Sequence, residues 1–452
     1  MAKEGFNEES RNTGAVGVDT RAKGAEKALS ADDLSPADVR HNMICNLALD
    51  GVWSVGWSDI LIALTPLMVF AGAKDGLIGL MNGFWFAGLP GVILTPFITR
   101  RFRFKKWYMF SVNVPYMLMI GLIGLLGYFF VPLGIEKPTL LLGILLLYSL
   151  HWTFGGFCTI PGAEYMAACI PMRLRGQLMG YSLSIGAVGT LGLAALAKWI
   201  MDTYPEPKSE GIVLLIGATI CQLCYIAALF ARETPTPVEK SPKPWSREML
   251  RRAWCDKPYV RALFLYASSA IFVGPVFGFI TVYGLRTPME HGLGLAPSFA
   301  AVVVIWTTLS RIVSGATVGR LTDKLSPKRV IPVLFLIAAL GYLPVIFMKS
   351  ELGIYISMAL TTVYAVGQVP AFVALLYSLP KPEDRSGHFT LQVLMQYIGS
   401  AAGPIIAGFV CQWIPYQKVF IGFAVIALLF VPFSKYMLSL LPDKWEPGHA
   451  GH

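Results

Sequence analysis

The stretch IGAVGTLGLAALAKWI, residues 185–200, has a partner in the second half of the chain, IGSAAGPIIAGFVCQWI, residues 398–414. Both are apolar, rich in small residues, long enough to cross a ~30 Å hydrocarbon core as helix, and preceded by a loop carrying proline and arginine (Pro171 and Arg175; Pro382 and Arg385). Working outward from this pair, apolar blocks run at about 43–71, 76–99, 107–132, 139–161, 177–200 and 211–230. After a polar stretch they resume at about 259–284, 296–318, 328–348, 352–378, 387–411 and 418–441. Six spans, a linker and six spans predict an all-α polytopic membrane protein of twelve transmembrane helices, arranged as two six-helix pseudo-symmetric bundles.

Composition agrees. Hydrophobic residues make up 55% of the 452 and charged residues 14%, against about 25% charged in soluble domains, and the mean hydropathy is +0.59. The net charge of +10 does not indicate nucleic acid, because the cations sit in short loops between apolar blocks. Loops after the even-numbered spans hold about three times the Lys and Arg of the loops after odd ones, which hold Lys74, Lys137, Lys198, Lys208, Arg286, Lys349 and Lys418. The positive-inside rule then puts both termini in the cytoplasm of a cell (inner or plasma) membrane protein.

The expected division is a disordered cytoplasmic tail over 1–41, an N-terminal bundle over 42–230, a linker over 231–258, a C-terminal bundle over 259–441 and a tail over 442–452. The linker reads as proline-rich, then WSREMLRRAWCDK, which suits either a short surface helix or a solvated basic loop. Seven cysteines imply no disulfide framework. Cys221 and Cys224 form a C-x-x-C inside an apolar helix, where packing is the simpler reading. There is no H-E-x-x-H, G-x-S-x-G or Walker loop, so an enzyme is not indicated, and no cofactor or metal is.

After the eighth span stands GRLTDKLSPKR, residues 319–329. It resembles the loop motif of the major facilitator superfamily, G-x-L-x-D-[RK]-x-x-x-[RK]-[RK], with Gly319, Leu321, Asp323, Lys324, Lys328 and Arg329 in its positions. In the first half PFITRRFRFKK, from Pro96, has proline for the glycine and Arg100 for the aspartate, but keeps Lys105 and Lys106. The resemblance covers about residues 42–441. It implies a secondary transporter working by alternating access, with Gly319, Asp323, Lys324 and Arg329 in a cytoplasmic gate. Glu164, ahead of Arg173 and Arg175, suggests an ion pair that opens and closes with that gate. GSAAGPIIAG, residues 399–408, is similar to a drug-antiporter motif of the family but stands in the other half, and reads as close helix packing.

A charge deep in a span costs roughly 2.5–3.5 kcal/mol by insertion scales and marks a functional candidate. Span 1 carries two, Asp50 and Asp59. Asn46, Asp50, Trp53 and Trp57 share one face, and Asp59, nine residues past Asp50, points the opposite way. Asp59, nearer mid-membrane, is the first choice for proton (or Na+) coupling, with Asp50 second. Arg311 in span 8 either holds an anionic solute or pairs with a span 1 carboxylate. Asp50-Gly51-Val52-Trp53 resembles the start of span 1 in monocarboxylate-type members, which also use an arginine in span 8. Polar residues on the helices that line the cavity in the family include Asn82, Gln368, Gln392 and Gln396, and with Trp57 these complete the expected solute site. The expectation is a monomeric, proton-coupled transporter of a small solute, leaning towards an organic anion. A drug or metabolite efflux antiporter and a non-transporting receptor on the same bundle are the alternatives.

Overall fold

The structure, a computed structural model, describes residues 31, 34–99, 101–235, 247–272, 276–380 and 385–441. Among them there are helices and no strand: α1 Pro36–Phe70, α2 Asp75–Asn82, α3 Leu89–Thr99, α4 Lys105–Tyr128, α5 Lys137–Cys169, α6 Met172–Thr203, α7 Lys208–Phe230, α8 Arg247–Cys255, α9 Lys257–Phe272, α10 Val276–Leu285, α11 Phe299–Leu325, α12 Pro327–Phe347, α13 Glu351–Ser378, α14 Arg385–Cys411 and α15 Tyr416–Ser439. Ten spans are long and apolar enough to cross a bilayer, the second being α2 and α3 joined by a 3-10 turn over Phe84–Gly88. The α9–α10 pair and α11 complete twelve.

Helix α1 takes in residues 36–41, the last six of the expected tail. Ser35 caps it by accepting from the Asp38 amide at 3.2 Å, and Pro36 occupies the first turn, where its missing N–H costs nothing. At 1.5 Å per residue its 35 residues run about 50 Å, so it projects beyond the bilayer at the end where the basic loops lie, called here the basic end. The linker contains a helix, α8, as one of its two readings expected. The remainder of both tails and residues 236–246 lie outside the described residues.

The packing repeats between halves. Helix α4 lies against α5 and α7 as α12 lies against α13 and α15, and α3 meets α5 as α11 meets α13. Across the halves, α2 packs on α14 and α6 on α11, two contacts related by the same pseudo-twofold. Glycine permits the α2–α14 approach: a Cβ on Gly79 would stand 2.5 Å from the Pro404 carbonyl and 2.9 Å from Gly408 Cα. GSAAGPIIAG is thus a packing surface.

At the basic end, the segment after α7 stitches the N-terminal bundle together. The Glu233 carboxylate accepts from the Lys105 and Lys106 amides at 2.5 and 3.0 Å, occupying the first turn of α4 where the helix dipole favours an anion. Lys106 Nζ in turn donates to the Leu229 and Ala231 carbonyls at the end of α7. Lys105 Nζ donates to Thr99 O, closing α3. Asn42 donates to Cys169 O and Arg232 O and accepts from the Arg232 amide. The two retained lysines of the degenerate loop therefore end helices as well as carry charge.

Gly156 of α5 lies directly on the Gly88 backbone, so a Cβ there collides with a carbonyl that cannot swing away, whereas Gly121 of α4 faces open space. Gly156→Ala is expected to destabilise the fold by about 1–3 kcal/mol while Gly121→Ala is neutral. Thermal unfolding of the detergent-solubilised protein measures both, and equal midpoints would show that this contact does not hold α5 in place.

Candidate functional site

Turns of α1, α4, α5, α6 and α7 near the basic end enclose a cavity of about 600 Å³. Its wall is apolar and aromatic, with Trp53, Met109, Tyr165, Met166, Met179 and Tyr225. Asp50 and Arg175 bring the charges and Ser54 and Ser182 the hydroxyls. Asp50 is half-buried and makes no hydrogen bond or ion pair among the described residues.

Beneath the cavity runs a column of rings. Trp53 stacks on Trp57 at 5.4 Å, Trp57 on His151 at 5.6 Å, and His151 on Tyr116 at 4.0 Å and Tyr148 at 5.5 Å. His151 is fully buried. Its Nδ1–H donates to the Tyr116 carbonyl at 2.8 Å, which leaves Nε2 as the acceptor nitrogen of a neutral ring, without a partner. Trp152 carries the aromatic surface to Trp85 at 4.3 Å, and Trp85 meets Tyr397 of the other half at 5.6 Å. The Tyr397 hydroxyl lies 2.7 Å from Thr159 Oγ1.

The expected site residues fall into separate places. Asp59 is 1% exposed, set against Gly217 of α7, and its Oδ1 has no partner. Trp57 lies in the ring column, one layer below the cavity wall. Asn82 reaches Gly278 of α10 across the halves with its Nδ2 unpartnered. Gln392 is buried and Gln396 half-buried on α14, and Gln368 on α13 has a buried, unpartnered Oε1. Arg311 is exposed on α11 and makes no hydrogen bond or ion pair among the described residues. The alternative in which it pairs with a span 1 carboxylate is not realised, since Asp59 is turned into the α1–α7 seam and Asp50 into the cavity.

The gate residues also differ from the simplest reading. Glu164 stands 3.6 Å from Lys105 of its own half, and Arg175 donates to the Ile170 and Ala167 carbonyls at the end of α5. Glu164 thus stands by Lys105 while Arg175 caps α5, and the side chain of Arg173 lies outside the described residues. Lys324 and Arg329 are exposed. Gly319 and Asp323 fall within α11, and their side chains lie outside the described residues.

One constellation was missed. At the far end, opposite the basic one, the Arg286 guanidinium meets Asp75 Oδ1 at 2.9 and 3.2 Å and the Ala73 carbonyl at 2.5 Å. The Tyr416 hydroxyl donates to Asp75 Oδ2 at 2.6 Å, and Glu290 adds a looser contact to Arg286 at 3.5 Å. Both charged side chains are nearly buried, at 10% and 12% exposure. Burial by itself would lower the Arg286 pKa, but the Asp75 carboxylate and Tyr416 hydroxyl outweigh it and hold the guanidinium charged. This cluster ties α2 of the first half to α10 and α15 of the second. The signal available in the sequence was the isolation of Asp75 and Arg286 in loops otherwise poor in charge.

The chain matches the Major Facilitator Superfamily model over residues 277–451. It is similar to the multi-drug resistance efflux pump PmrA homolog of Lactococcus lactis, at 23% identity over 66% of this chain and 72% of the other. It is similar to the multidrug resistance protein MdtG of Klebsiella pneumoniae, at 25% identity over 68% and 74%. Among solved structures, the nucleoside transporter NupG superposes with a TM-score of 0.66 at 13% identity, covering 88% of this chain and 99% of that one.

Asp75→Asn leaves a buried guanidinium without its counter-ion, a change that costs about 3–5 kcal/mol where both charges are buried. The far end is expected to open more often. In an Ala73→Cys background, a membrane-impermeant maleimide added from the far side should then react several-fold faster than without the Asn substitution. Equal labelling rates would show that the pair does not hold this end shut.

Proposed function

We propose that the chain is a member of the major facilitator superfamily and works as a proton-coupled secondary transporter exporting amphipathic organic solutes, cationic ones in particular, by alternating access. The observation that carries this reading is the cavity at the basic end, whose unpaired Asp50 stands among aromatic and methionine side chains while the far end is tied by Arg286 and Asp75. A volume of about 600 Å³ is that of a pocket for a drug-sized ligand. A carboxylate supplies charge complementarity to an organic cation, and the faces of Trp53, Tyr165 and Tyr225 supply cation–π and dispersion contacts. The names of the bacterial relatives, multidrug resistance and efflux proteins, favour the same class.

In this reading the basic end and both termini face the cytoplasm, so the cavity takes solute from inside the cell, and the protein works as a monomer. Asp59 is the coupling carboxyl: buried in the α1–α7 seam without a counter-ion, it is stable there as a neutral acid and costly as an anion. A change in its charge therefore favours one arrangement of the helices over the other. The two six-helix halves rock about the mid-membrane contacts of Asn82, Trp85 and Tyr397, with the glutamines of α13 and α14 on the C-terminal side of the path. An organic-anion solute is the second reading. Its specific support is Arg311, exposed and without a counter-ion on α11.

Proteoliposomes with an imposed pH gradient test these assignments together. Asp59→Asn should abolish gradient-driven movement of ethidium while leaving counterflow exchange within about twofold, and retained driven transport would remove Asp59 from the mechanism. Asp50→Asn should weaken ethidium binding by about 10–100-fold, the 1.5–3 kcal/mol typical of a charged contact, with Arg311→Ala neutral. An organic anion whose transport fails in Arg311→Ala and survives Asp50→Asn would install the second reading instead.

A further inference from the structure

Asp59 is not the sole buried carboxyl on the seam between α1 and α7. Glu210, the third residue of α7, has no exposed surface. Its Oε2 accepts from the Ser209 hydroxyl at 2.9 Å, and its Oε1 has no partner. An acid in the first turn of a helix is favoured by the dipole, which would account for Glu210 on a wet surface. It does not account for complete burial with one oxygen idle, an arrangement that costs free energy unless the group is used.

The helical repeat places this group with the others. Glu210, Gly217 and Cys224 recur every seven residues, a spacing that drifts only about 20° per step, so they share one face of α7. That face meets α1: a Cβ on Gly217 would touch the Gly56 carbonyl and Asp59 Cβ, and Cys221 Sγ donates to the Trp53 carbonyl at 3.4 Å. Glu210 therefore sits about 10 Å beyond Asp59 towards the far end, at 1.5 Å per residue. A comparable distance the other way, Tyr225 shares the cavity wall with Asp50. The antiparallel register brings Glu210 beside the turn of α1 that holds buried Thr65 and Pro66. Pro66 has no N–H, so the Ile62 carbonyl lacks its helical donor.

We propose that Glu210 is the far-side proton port of the transporter, and that it passes protons along the α1–α7 seam to Asp59, apart from the solute at Asp50. This rests on the proton-coupled reading above and adds the path and its entrance. When the far end opens, the Glu210 carboxylate takes a proton from far-side water and passes it to the Asp59 carboxylate, becoming a carboxylate again. Asp59 holds it until the helices rearrange and then gives it up to water reached from the basic end, becoming a carboxylate again. The first hop exceeds a hydrogen bond, and the Thr65 hydroxyl and free Ile62 carbonyl are polar atoms at which a water can bridge it. The ionisable groups around the port are Glu206 in the preceding loop, with Lys137 acting on it, and Lys208, whose ammonium rests over the Tyr128 and Tyr204 rings. From α1, residues 60–70 bring no charge, from α4, residues 116–128 bring only tyrosine hydroxyls, and from α6 come Lys198 and Asp202, paired with each other.

The test uses the full chain in oriented proteoliposomes with a trapped pH dye and ethidium as the solute. Glu210→Gln should reduce ethidium-coupled proton flux at least tenfold and flatten the dependence of rate on far-side pH, with ethidium binding and counterflow within twofold of the parent. Ser209→Ala removes the hydroxyl that stabilises the carboxylate and leaves the carboxyl in place, so it should move the midpoint of the far-side pH dependence upward. Parent-like flux and pH dependence in Glu210→Gln, or an unmoved midpoint in Ser209→Ala, would overturn the port while leaving coupling at Asp59 standing. Absence of ethidium-coupled proton flux in the parent itself would instead overturn the proton-coupled reading and the port with it.

Discussion

Hydrocarbon offers a charged or polar group nothing to bond to, and the placement of almost every polar side chain described above follows from that constraint. Backbone groups are satisfied within helices, and helix ends by side chains that would be ordinary surface charges in water. Lys105, Lys106, Arg175 and Glu233 all end helices at the basic end. The same constraint makes the exceptions informative. A carboxyl kept in the α1–α7 seam without a partner can shed or accept a proton at the cost of a change in packing, which is the property a coupling group needs.

The two ends of the molecule are built from different interactions. The far end is held across the halves by a nearly buried ion pair, a tyrosine hydroxyl and glycine-backed contact of α2 with α14. At the basic end Glu233 bonds to α4, Lys105 to Glu164 and Lys328 to the Leu441 carbonyl, each within one half. The bonds at the basic end thus hold each bundle together, and those at the far end tie the bundles to each other. In the alternating-access reading proposed above, rigid halves pivoting about a mid-membrane contact need that division, because energy stored in a far-end clasp can be exchanged for a basic-end one only if each half moves as a unit.

The gross fold was legible because it depends on length and period. Spans of about twenty apolar residues, their six-plus-six count and the repeat of residues 185–200 at 398–414 are one-dimensional signals that lipid enforces. The break in span 2 was not legible, since Gly83 and Gly88 are tolerated in continuous transmembrane helices too; only their contacts with Ala401, Tyr397 and Trp152 show why the chain gives way there. Helix 1 geometry set Asp50 and Asp59 on opposite faces, and the structure does put them in different places. What the sequence could not show was which neighbours each face meets. Asp75, Arg286 and Glu210 were passed over for a single reason: charges at the ends of apolar blocks are normally solvated, and burial there is a property of the tertiary contact.

The class of solute turns on which of two unpaired charges the path presents. Asp50 stands half-buried in a wall of rings and thioethers, where an opposite charge gains more from meeting it than in bulk water. Arg311 is exposed on a helix whose neighbours Leu309, Ile312 and Val313 are exposed too, and its long stem can carry the charge towards headgroups. Binding free energy comes from the difference between the bound and the free environment of a charge, and that difference is larger for the half-buried carboxylate. In the proposed reading a cation entering from the basic end meets Asp50 in the cavity, while the proton is held apart from it on Asp59 in the seam. Both carboxyls stand on α1, so a movement of that one helix couples the two.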